Sequence, residues 1–234
     1  MNGRAVLAPW QALWRAGARP REAVVAGCEV AFLLGFLLYY IWVLEPATHA
    51  YAWPSFAFFM VFTLLSSYLH GYGPSDLGLR VDTLARGLAE AILVIAPGLV
   101  IAFVLGRWMQ GGHILTPERL VLSFLGTYTW ALFQQYGLQC VFNLRLRSVF
   151  PHPIGHDVVC AGVFAALHLP NPFLTVVTFG AGYCFCALFR RCPNLFALGA
   201  AHALSSSVLY YCLPPAVTHL MRVGPGYLLE LRWH

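Results

Sequence analysis

The sequence predicts an all-α fold: a polytopic membrane helical bundle with about seven transmembrane helices, or eight if the C-terminal tail re-enters the membrane. Hydrophobic residues make up 59% of the 234-residue chain and charged residues only 10%. Soluble domains are about one quarter charged, so this composition excludes an ordinary soluble enzyme. Polar side chains inside the apolar stretches are therefore the candidates for a functional site.

Seven apolar stretches approach or reach the length needed to cross a bilayer core of about 30 Å at 1.5 Å per residue. These stretches are 23–44, 51–70, 87–108, 120–142, 157–171, 173–190 and 194–213. The 157–171 stretch is short and ends at Pro170 and Pro172. Because proline interrupts helices, we expect this stretch to be kinked or to stop partway through the membrane.

The sequence contains no internal repeat, so we predict a single membrane domain at 23–213. An interfacial or cytoplasmic segment at 1–22 precedes it, and a tail at 214–234 follows. All 14 basic residues are arginines, and the net charge is +5. Arginines at helix ends explain this charge, so we expect the lipid bilayer as a partner and no nucleic acid.

The distribution of arginines predicts the orientation, because basic residues accumulate on the cytoplasmic side. With the N-terminus inside, ten arginines are cytoplasmic and four are on the other side. The ten are Arg4, Arg15, Arg19, Arg21, Arg80, Arg86, Arg145, Arg147, Arg190 and Arg191. We therefore expect an integral, multi-pass protein of a bacterial inner membrane with a cytoplasmic N-terminus.

Two histidines, His168 and His202, lie inside apolar stretches. Phe164 precedes His168 by four residues and Ser206 follows His202 by four, so each pair shares a helical face. At 1.5 Å per residue, His202 lies roughly 12 Å and His168 roughly 16 Å from the cytoplasmic ends of their spans. An intramembrane histidine indicates a functional site. The alternatives are neutral histidines that fix helix register through hydrogen bonds, or two axial ligands of a b-type haem.

Three amides, Gln134, Gln135 and Gln139, lie in the 120–142 stretch. Such side chains are costly in a membrane unless they are paired, so hydrogen bonding between helices is one explanation. The other is a cavity shared with His168 and His202, because Gln134 and both histidines are expected between the membrane midplane and the inner surface.

The remaining charged groups have simpler explanations. Glu90 follows Arg86 by four residues, so we expect it to pair with an arginine near the interface or to extend toward the interface. Asp157 is expected to cap the helix of His168, where a carboxylate complements the helix dipole.

The run from Phe164 to His168-Leu-Pro-Asn-Pro, followed by Arg190-Arg191 and then by Ala201-His202-Ala203-Leu204-Ser205-Ser206, resembles the CPBP family. This family comprises CAAX-type prenyl endopeptidases and their bacterial Abi and bacteriocin-processing relatives. Its motifs EExxxR, FxxxH and HxxxN, or a small residue in place of N, occur in this order on successive membrane helices. The segment 76–80 also looks like the LGLR sequence that often precedes the family core, so the resemblance covers about 74–213.

The resemblance implies an intramembrane endopeptidase that acts on a juxtamembrane or C-terminal peptide segment, with or without a lipid. It implies catalytic roles for His168, His202, Gln134 and Gln135, and substrate contacts from Phe164, Gln139 and Ser206. Arg145 and Arg147 would attract a substrate carboxylate. We predict no cofactor and no metal ligand, with a divalent metal such as zinc as the alternative.

The chain departs from the family at the EExxxR motif, where it has Gln134, Gln135 and Gln139. A general base must accept a proton, and a neutral amide essentially does not. If catalysis persists, His168 or His202 would be the base, or Glu90 would supply the carboxylate. The alternative is a pseudoprotease that binds a membrane or lipidated peptide without cutting it, as a scaffold, sorting or immunity-type factor.

Overall fold

The computed structural model describes residues 20–109 and 116–231, and its regular elements are all helical. The predicted all-α class is therefore confirmed for the described residues. The segment predicted at 1–22 falls almost entirely outside them. The main helices are α1 (Pro20–Tyr39), α2 (Ala52–Leu69), α3 (Leu84–Trp108), α4 (Pro117–Gln135), α5 (Leu144–Val149), α6 (Pro153–Ala166), α7 (Pro172–Arg191), α8 (Leu195–Cys212) and α9 (Gly224–Leu231).

Five helical stretches are long and apolar enough to cross a membrane. They are Arg21–Ala47, His49–Leu69, Leu84–Trp108, Pro172–Arg191 and Leu195–Cys212. Each coincides with one of the predicted spans, and large apolar side chains remain exposed along them. Exposed apolar surface of this kind is stable against lipid tails, so the chain is an integral membrane protein.

The other two predicted spans are more irregular. At 120–142, α4 continues without a break into a π-helical stretch at Tyr136–Asn143. At 157–171, α6 has only 14 residues. It would be about 21 Å long at 1.5 Å per residue, which is too short for a bilayer core of about 30 Å. The expectation that this span stops early is confirmed, and the total of seven spans stays a prediction.

The end of α6 places His168 in a turn rather than within a helix. The backbone N–H groups of His168 and Leu169 donate to the carbonyls of Ala165 and Ala166, at 2.9 and 3.3 Å. These bonds tighten the chain into a narrower turn. Leu169 precedes Pro170, a position at which α-helical backbone is disfavoured. The two prolines that the sequence analysis identified thus end the helix just before His168.

Small residues set the position of α8, the helix that carries His202. A Cβ added at Gly199 of α8 would lie 3.2 Å from the Cα of Leu132 in α4. On its other side α8 contacts α3, where a Cβ added at Gly87 would lie 3.0 Å from the Cβ of Ala197. Small residues allow membrane helices to approach this closely. His202 is therefore on a helix that is held between two neighbours.

An ion pair closes the hairpin formed by α6 and α7. Asp157 is fully buried and accepts a hydrogen bond from Arg190 near the end of α7. The prediction that Asp157 caps its helix is wrong, because α6 begins at Pro153 and His152 occupies the capping position. Asp157 lies more than a turn inside the helix, where its carboxylate binds the neighbouring helix instead.

Four arginines, Arg80, Arg145, Arg147 and Arg190, lie at one end of the bundle, which we call the arginine end. The connection between α7 and α8 is anchored there, because the Asn194 amide donates to the Arg80 carbonyl at 2.7 Å and to Thr83 Oγ1 at 3.1 Å. Gly78, with φ +69°, places its carbonyl 2.9 Å from the N–H of Leu195. The loop before α3 is thus fixed to the start of α8.

The C-terminal tail packs at the opposite end, against the turn that carries His168. The Asn171 amide donates to the carbonyls of Thr218 and Arg222, both at 3.1 Å. The N–H of Gly224 donates to the Leu169 carbonyl at 2.8 Å. These bonds connect the tail to both sides of the turn.

The approach of α3 to α8 is tightest at Gly106, where an added Cβ would lie 1.9 Å from the Cys212 carbonyl oxygen. Gly106→Ala should therefore lower the free energy of unfolding by about 1–3 kcal/mol through overpacking. Gly98→Ala, on the same helix but facing open space, is the matched control. It should be neutral or stabilising by up to about 1 kcal/mol. Reversible unfolding in mixed micelles measures both, and equal effects would contradict the packing.

Candidate active site

The two predicted histidines meet on one aromatic ring. The ring centroid of Phe164 lies 4.8 Å from that of His168 and 5.9 Å from that of His202, both in edge-to-face geometry. Phe164 is buried near the end of α6, whereas both imidazoles retain some accessible surface. The α6–α7 turn and α8 thus bring together the two groups that the sequence analysis placed on separate spans.

The hydrogen bond of His168 determines which of its ring nitrogens is free. Nδ1 lies 2.7 Å from the carbonyl oxygen of Phe164. A carbonyl oxygen only accepts, so Nδ1 carries the proton in this bond. In a neutral ring Nε2 then has an unprotonated lone pair, which can accept a proton. Phe164 therefore both packs against His168 and sets its tautomer.

His202 is bonded to an amide from α4. Gln135 is fully buried, and its Nε2 lies 3.2 Å from His202 Nδ1. The close contact at Gly199, three residues before His202, brings α4 and α8 near enough for this bond. The predicted proximity of the amide pair and His202 is thus present in the structure.

Gln134, the neighbouring amide, is in a different environment. Its Oε1 is buried and has no hydrogen-bond partner among the described residues. The residue as a whole retains some accessible surface, as His168 and His202 do. A buried carbonyl oxygen without a partner is costly in a membrane protein. Of the two adjacent glutamines, Gln134 is the one with a free acceptor.

A continuous row of side chains, which we call the amide ladder, leads away from His202. Gln139 donates to Gln135 Oε1 at 3.2 Å, and Asn143 donates to Gln139 Oε1 at 2.6 Å. At the arginine end, Arg147 Nε donates to Asn143 Oδ1 at 3.1 Å. Gln139 and Asn143 are fully buried, so the protein encloses the interior of the ladder.

The π-helical stretch at Tyr136–Asn143 keeps the amide ladder straight. In an α-helix, residues four apart are separated by about 40° more than one full turn, so a long i, i+4 row of side chains winds around the helix. In a π-helix, which has more residues per turn, residues four apart are separated by less than one full turn. Alternating the two geometries aligns Gln135, Gln139, Asn143 and Arg147 on one side.

Sequence reasoning missed Asn143 as a member of this group, although the signal was present. Gln135, Gln139, Asn143 and Arg147 recur at intervals of four, but Arg147 was assigned to the substrate. His156 was also missed: its Nε2 donates to Asn143 Oδ1 at 2.8 Å. Only the folded chain shows that α6 brings this histidine to the end of the ladder.

Gln139 and Ser206, for which the resemblance implies substrate contacts, lie in different surroundings. Gln139 is enclosed in the amide ladder. Ser206 lies one helical turn beyond His202, and the adjacent Ser207 makes the contact between helices, with its Oγ 3.0 Å from that of Ser123 in α4. The predicted role of Ser206 stays a prediction.

Glu29 and Glu90, two carboxylates within the predicted spans, are each paired with an arginine. Glu90 Oε1 accepts from Arg86 Nε at 2.8 Å, which confirms the pairing expected near the interface. Glu29 Oε2 lies 3.2 Å from the Nε of Arg145, and Glu29 Oε1 accepts from Ser66 at 2.9 Å. Among the described residues, no three His, Cys, Asp or Glu side chains are grouped so that they could hold a metal ion.

Arg145 is not available to a substrate. Its side chain is 1% exposed, and it donates to Glu29, to the Cys140 carbonyl at 3.0 Å and to Ser66 at 2.7 Å. The expectation that Arg145 attracts a substrate carboxylate is therefore wrong. The sequence placed this arginine at a helix end, but α1 and α2 enclose it and supply its partners.

Arg145→Met should lower the free energy of unfolding by about 3–5 kcal/mol, because it leaves Glu29 without its buried counter-charge. Arg86→Met, which breaks an ion pair whose arginine side chain is 67% exposed, is the matched control. Its effect should be much smaller, because solvent screens an exposed pair. Unfolding in mixed micelles measures both variants, and a small loss at Arg145 would show that Glu29 finds another partner.

Comparison with known proteins identifies the segment that contains this site. Residues 117–208 match a family model described as type II CAAX prenyl endopeptidase Rce1-like. No curated protein and no solved structure matches the chain. The matched range begins with α4 and ends within α8, so it includes the three glutamines and both histidines. The predicted resemblance to the CPBP family is confirmed over residues 117–208, which we call the Rce1-like core.

Proposed function

We propose that the chain is an intramembrane endopeptidase that hydrolyses a peptide bond in a membrane-associated or C-terminal segment of another protein. The Rce1-like core supports the reaction class. The observation that carries the proposal is the free Nε2 of His168 beside His202, on a shared phenyl ring. A base of this kind replaces the glutamates that the family has at the positions of Gln134 and Gln135.

In this reaction a water molecule lies between His168 and the scissile carbonyl. As the water oxygen attacks the carbonyl carbon, His168 Nε2 accepts a proton from the water. The product of this step is a tetrahedral intermediate in which the former carbonyl oxygen carries the negative charge. The protonated imidazole then donates that proton to the leaving amine, and the peptide bond breaks. General base catalysis typically raises the rate of a reaction about 10²- to 10⁴-fold, so a single imidazole base supports slow hydrolysis.

Gln134 is the group best placed to hold water or the substrate backbone. Its Oε1 is buried and has no partner in the part of the chain that the structure describes, so it can accept a hydrogen bond from a water molecule or a peptide N–H. Gln135 already bonds to His202 and Gln139. The two adjacent glutamines therefore have separate roles in the proposal, Gln134 toward the reactants and Gln135 toward the protein.

The substrate reaches the site from the lipid phase or from the arginine end, which we place in the cytoplasm with the N-terminus. The clustering of Arg80, Arg145, Arg147 and Arg190 at one end supports this orientation, because basic residues accumulate on the cytoplasmic side. A bacterial inner membrane is the proposed location. Both lipidated and unmodified peptides are candidate substrates.

A pseudoprotease is the second candidate, and one observation favours it. The positions of the family's EExxxR motif carry three amides, and two of them are fully buried in the amide ladder. A site without a carboxylate base still binds a peptide segment. In this function the chain holds a membrane or lipidated peptide as a scaffold, sorting or immunity-type factor.

Cleavage of a model membrane peptide by purified protein distinguishes the two functions. We expect slow cleavage by the wild type and a loss of at least about 10²-fold in His168→Ala, because the base is removed. Gln134→Glu should raise the rate, since it places a carboxylate at the unpartnered position. His49→Ala, whose side chain is 88% exposed, is the control and should match the wild type.

A different pattern would establish the pseudoprotease: Gln134→Glu cleaves the peptide, whereas the wild type does not cleave it but still crosslinks to it. Wild-type cleavage that persists in His168→Ala would exclude His168 as the base.

A further inference from the structure

The amide ladder has a direction, and its last member fixes that direction. An arginine guanidinium has only donors, so of the two ends of the Asn143 amide only Oδ1 can accept the bond from Arg147 Nε. His156 Nε2 lies 2.8 Å from the same oxygen. If the Asn143 amide were reversed, its NH₂ group would face the donor of Arg147. The side-chain oxygen of Asn143 therefore faces the arginine end.

This orientation passes along the ladder, because each carboxamide has one accepting end and one donating end. Asn143 presents its NH₂ group to Gln139 Oε1 at 2.6 Å. Gln139 in turn presents its NH₂ group to Gln135 Oε1 at 3.2 Å. Gln135 is left with its NH₂ group toward His202 Nδ1, also at 3.2 Å. Reversing any one amide would place two donors or two acceptors in contact.

The consequence falls on His202. An amide NH₂ that donates to Nδ1 requires a lone pair there, so a neutral His202 carries its proton on Nε2. Gln135, Gln139 and Asn143 are fully buried, so water cannot replace a lost partner along the ladder. His168 has the opposite arrangement, with its proton on Nδ1. The two imidazoles thus present one donor and one acceptor.

We propose that Arg147 and Asn143 act as positioning residues, which hold His202 as the Nε2–H tautomer through the amide ladder. They determine, from the arginine end, that His202 is the hydrogen-bond donor of the site. The catalytic meaning of this donor rests on the proposed function: it stabilises the negative charge that develops on the scissile carbonyl oxygen. The tautomer itself is a property of the resting protein.

Asn143→Asp tests the proposal, because it should reverse the direction of the ladder. The variant is nearly isosteric, and the guanidinium of Arg147 favours an ionised carboxylate there. A carboxylate only accepts, so Gln139 would turn its NH₂ group toward residue 143 and Gln135 would present its oxygen to His202. His202 would then carry its proton on Nδ1. Asn194→Asp, at the same end but outside the ladder, is the control for added charge and local disturbance. Its aspartate keeps the cap bond from Ala197 but loses the two bonds that the amide donates.

The measurement is ¹⁵N NMR of the full chain with labelled histidine in lipid nanodiscs, at about pH 8.5, above the usual titration range of imidazole. His202→Gln identifies the signal. We expect an unprotonated Nδ1 in the wild type and in Asn194→Asp, and a protonated Nδ1 in Asn143→Asp. If Asn143 only stabilised the fold, replacing it would not move the proton between the two ring nitrogens of His202, which is separated from Asn143 by Gln139 and Gln135.

Two results would overturn the proposal: a protonated Nδ1 in the wild type, or an unchanged tautomer in folded Asn143→Asp. If Asn143→Asp does not fold, Gln135→Met decides, because it removes the donor beside His202 and should give a mixture of tautomers. A retained single tautomer there would contradict the proposal. A wild type that cleaves no peptide but has the expected tautomer would refute the proposed function and leave the positioning intact.

Discussion

Hydrocarbon offers no hydrogen bonds, so polar groups inside the bundle depend on partners within the protein or on enclosed water. The amide ladder meets this requirement for Gln135, Gln139 and Asn143, which bond in series from His202 to the arginine end. Glu29 and Arg145 meet it as a pair, with serines from α2 completing the set. The positions of α1, α2, α4 and α5 follow from these bonds as much as from apolar packing.

The same requirement explains how uncharged amides can lie in the interior of the bundle. Gln135 and Gln139, four residues apart on one helix, form a directed amide pair. Amides are less costly to bury than ions. Their direction then has to be set by a neighbour, and here Arg147 supplies it through Asn143.

The sequence was most informative where a pattern is local. The prolines at 170 and 172 predicted the early end of α6, and the i, i+4 spacing of Phe164 and His168 predicted their contact. Pairing between distant helices was not readable. Asp157 binds Arg190, 33 residues away, but was predicted to cap its own helix. Arg145 binds Glu29, 116 residues away, but was assigned to a substrate carboxylate. The amide ladder lies between these cases, since its spacing is local but the π-helical stretch that aligns it is not evident from composition.

The turn that carries His168 is secured by residues outside the Rce1-like segment at 117–208. Gly224 bonds to Leu169, and three consecutive left-handed residues, His219–Met221, turn the tail back toward Asn171. Non-glycine residues rarely adopt such backbone, so the surrounding contacts must hold it in place. Residues 218–224 therefore stabilise the turn that carries His168, and a shortened chain that keeps only the family segment would lack these bonds.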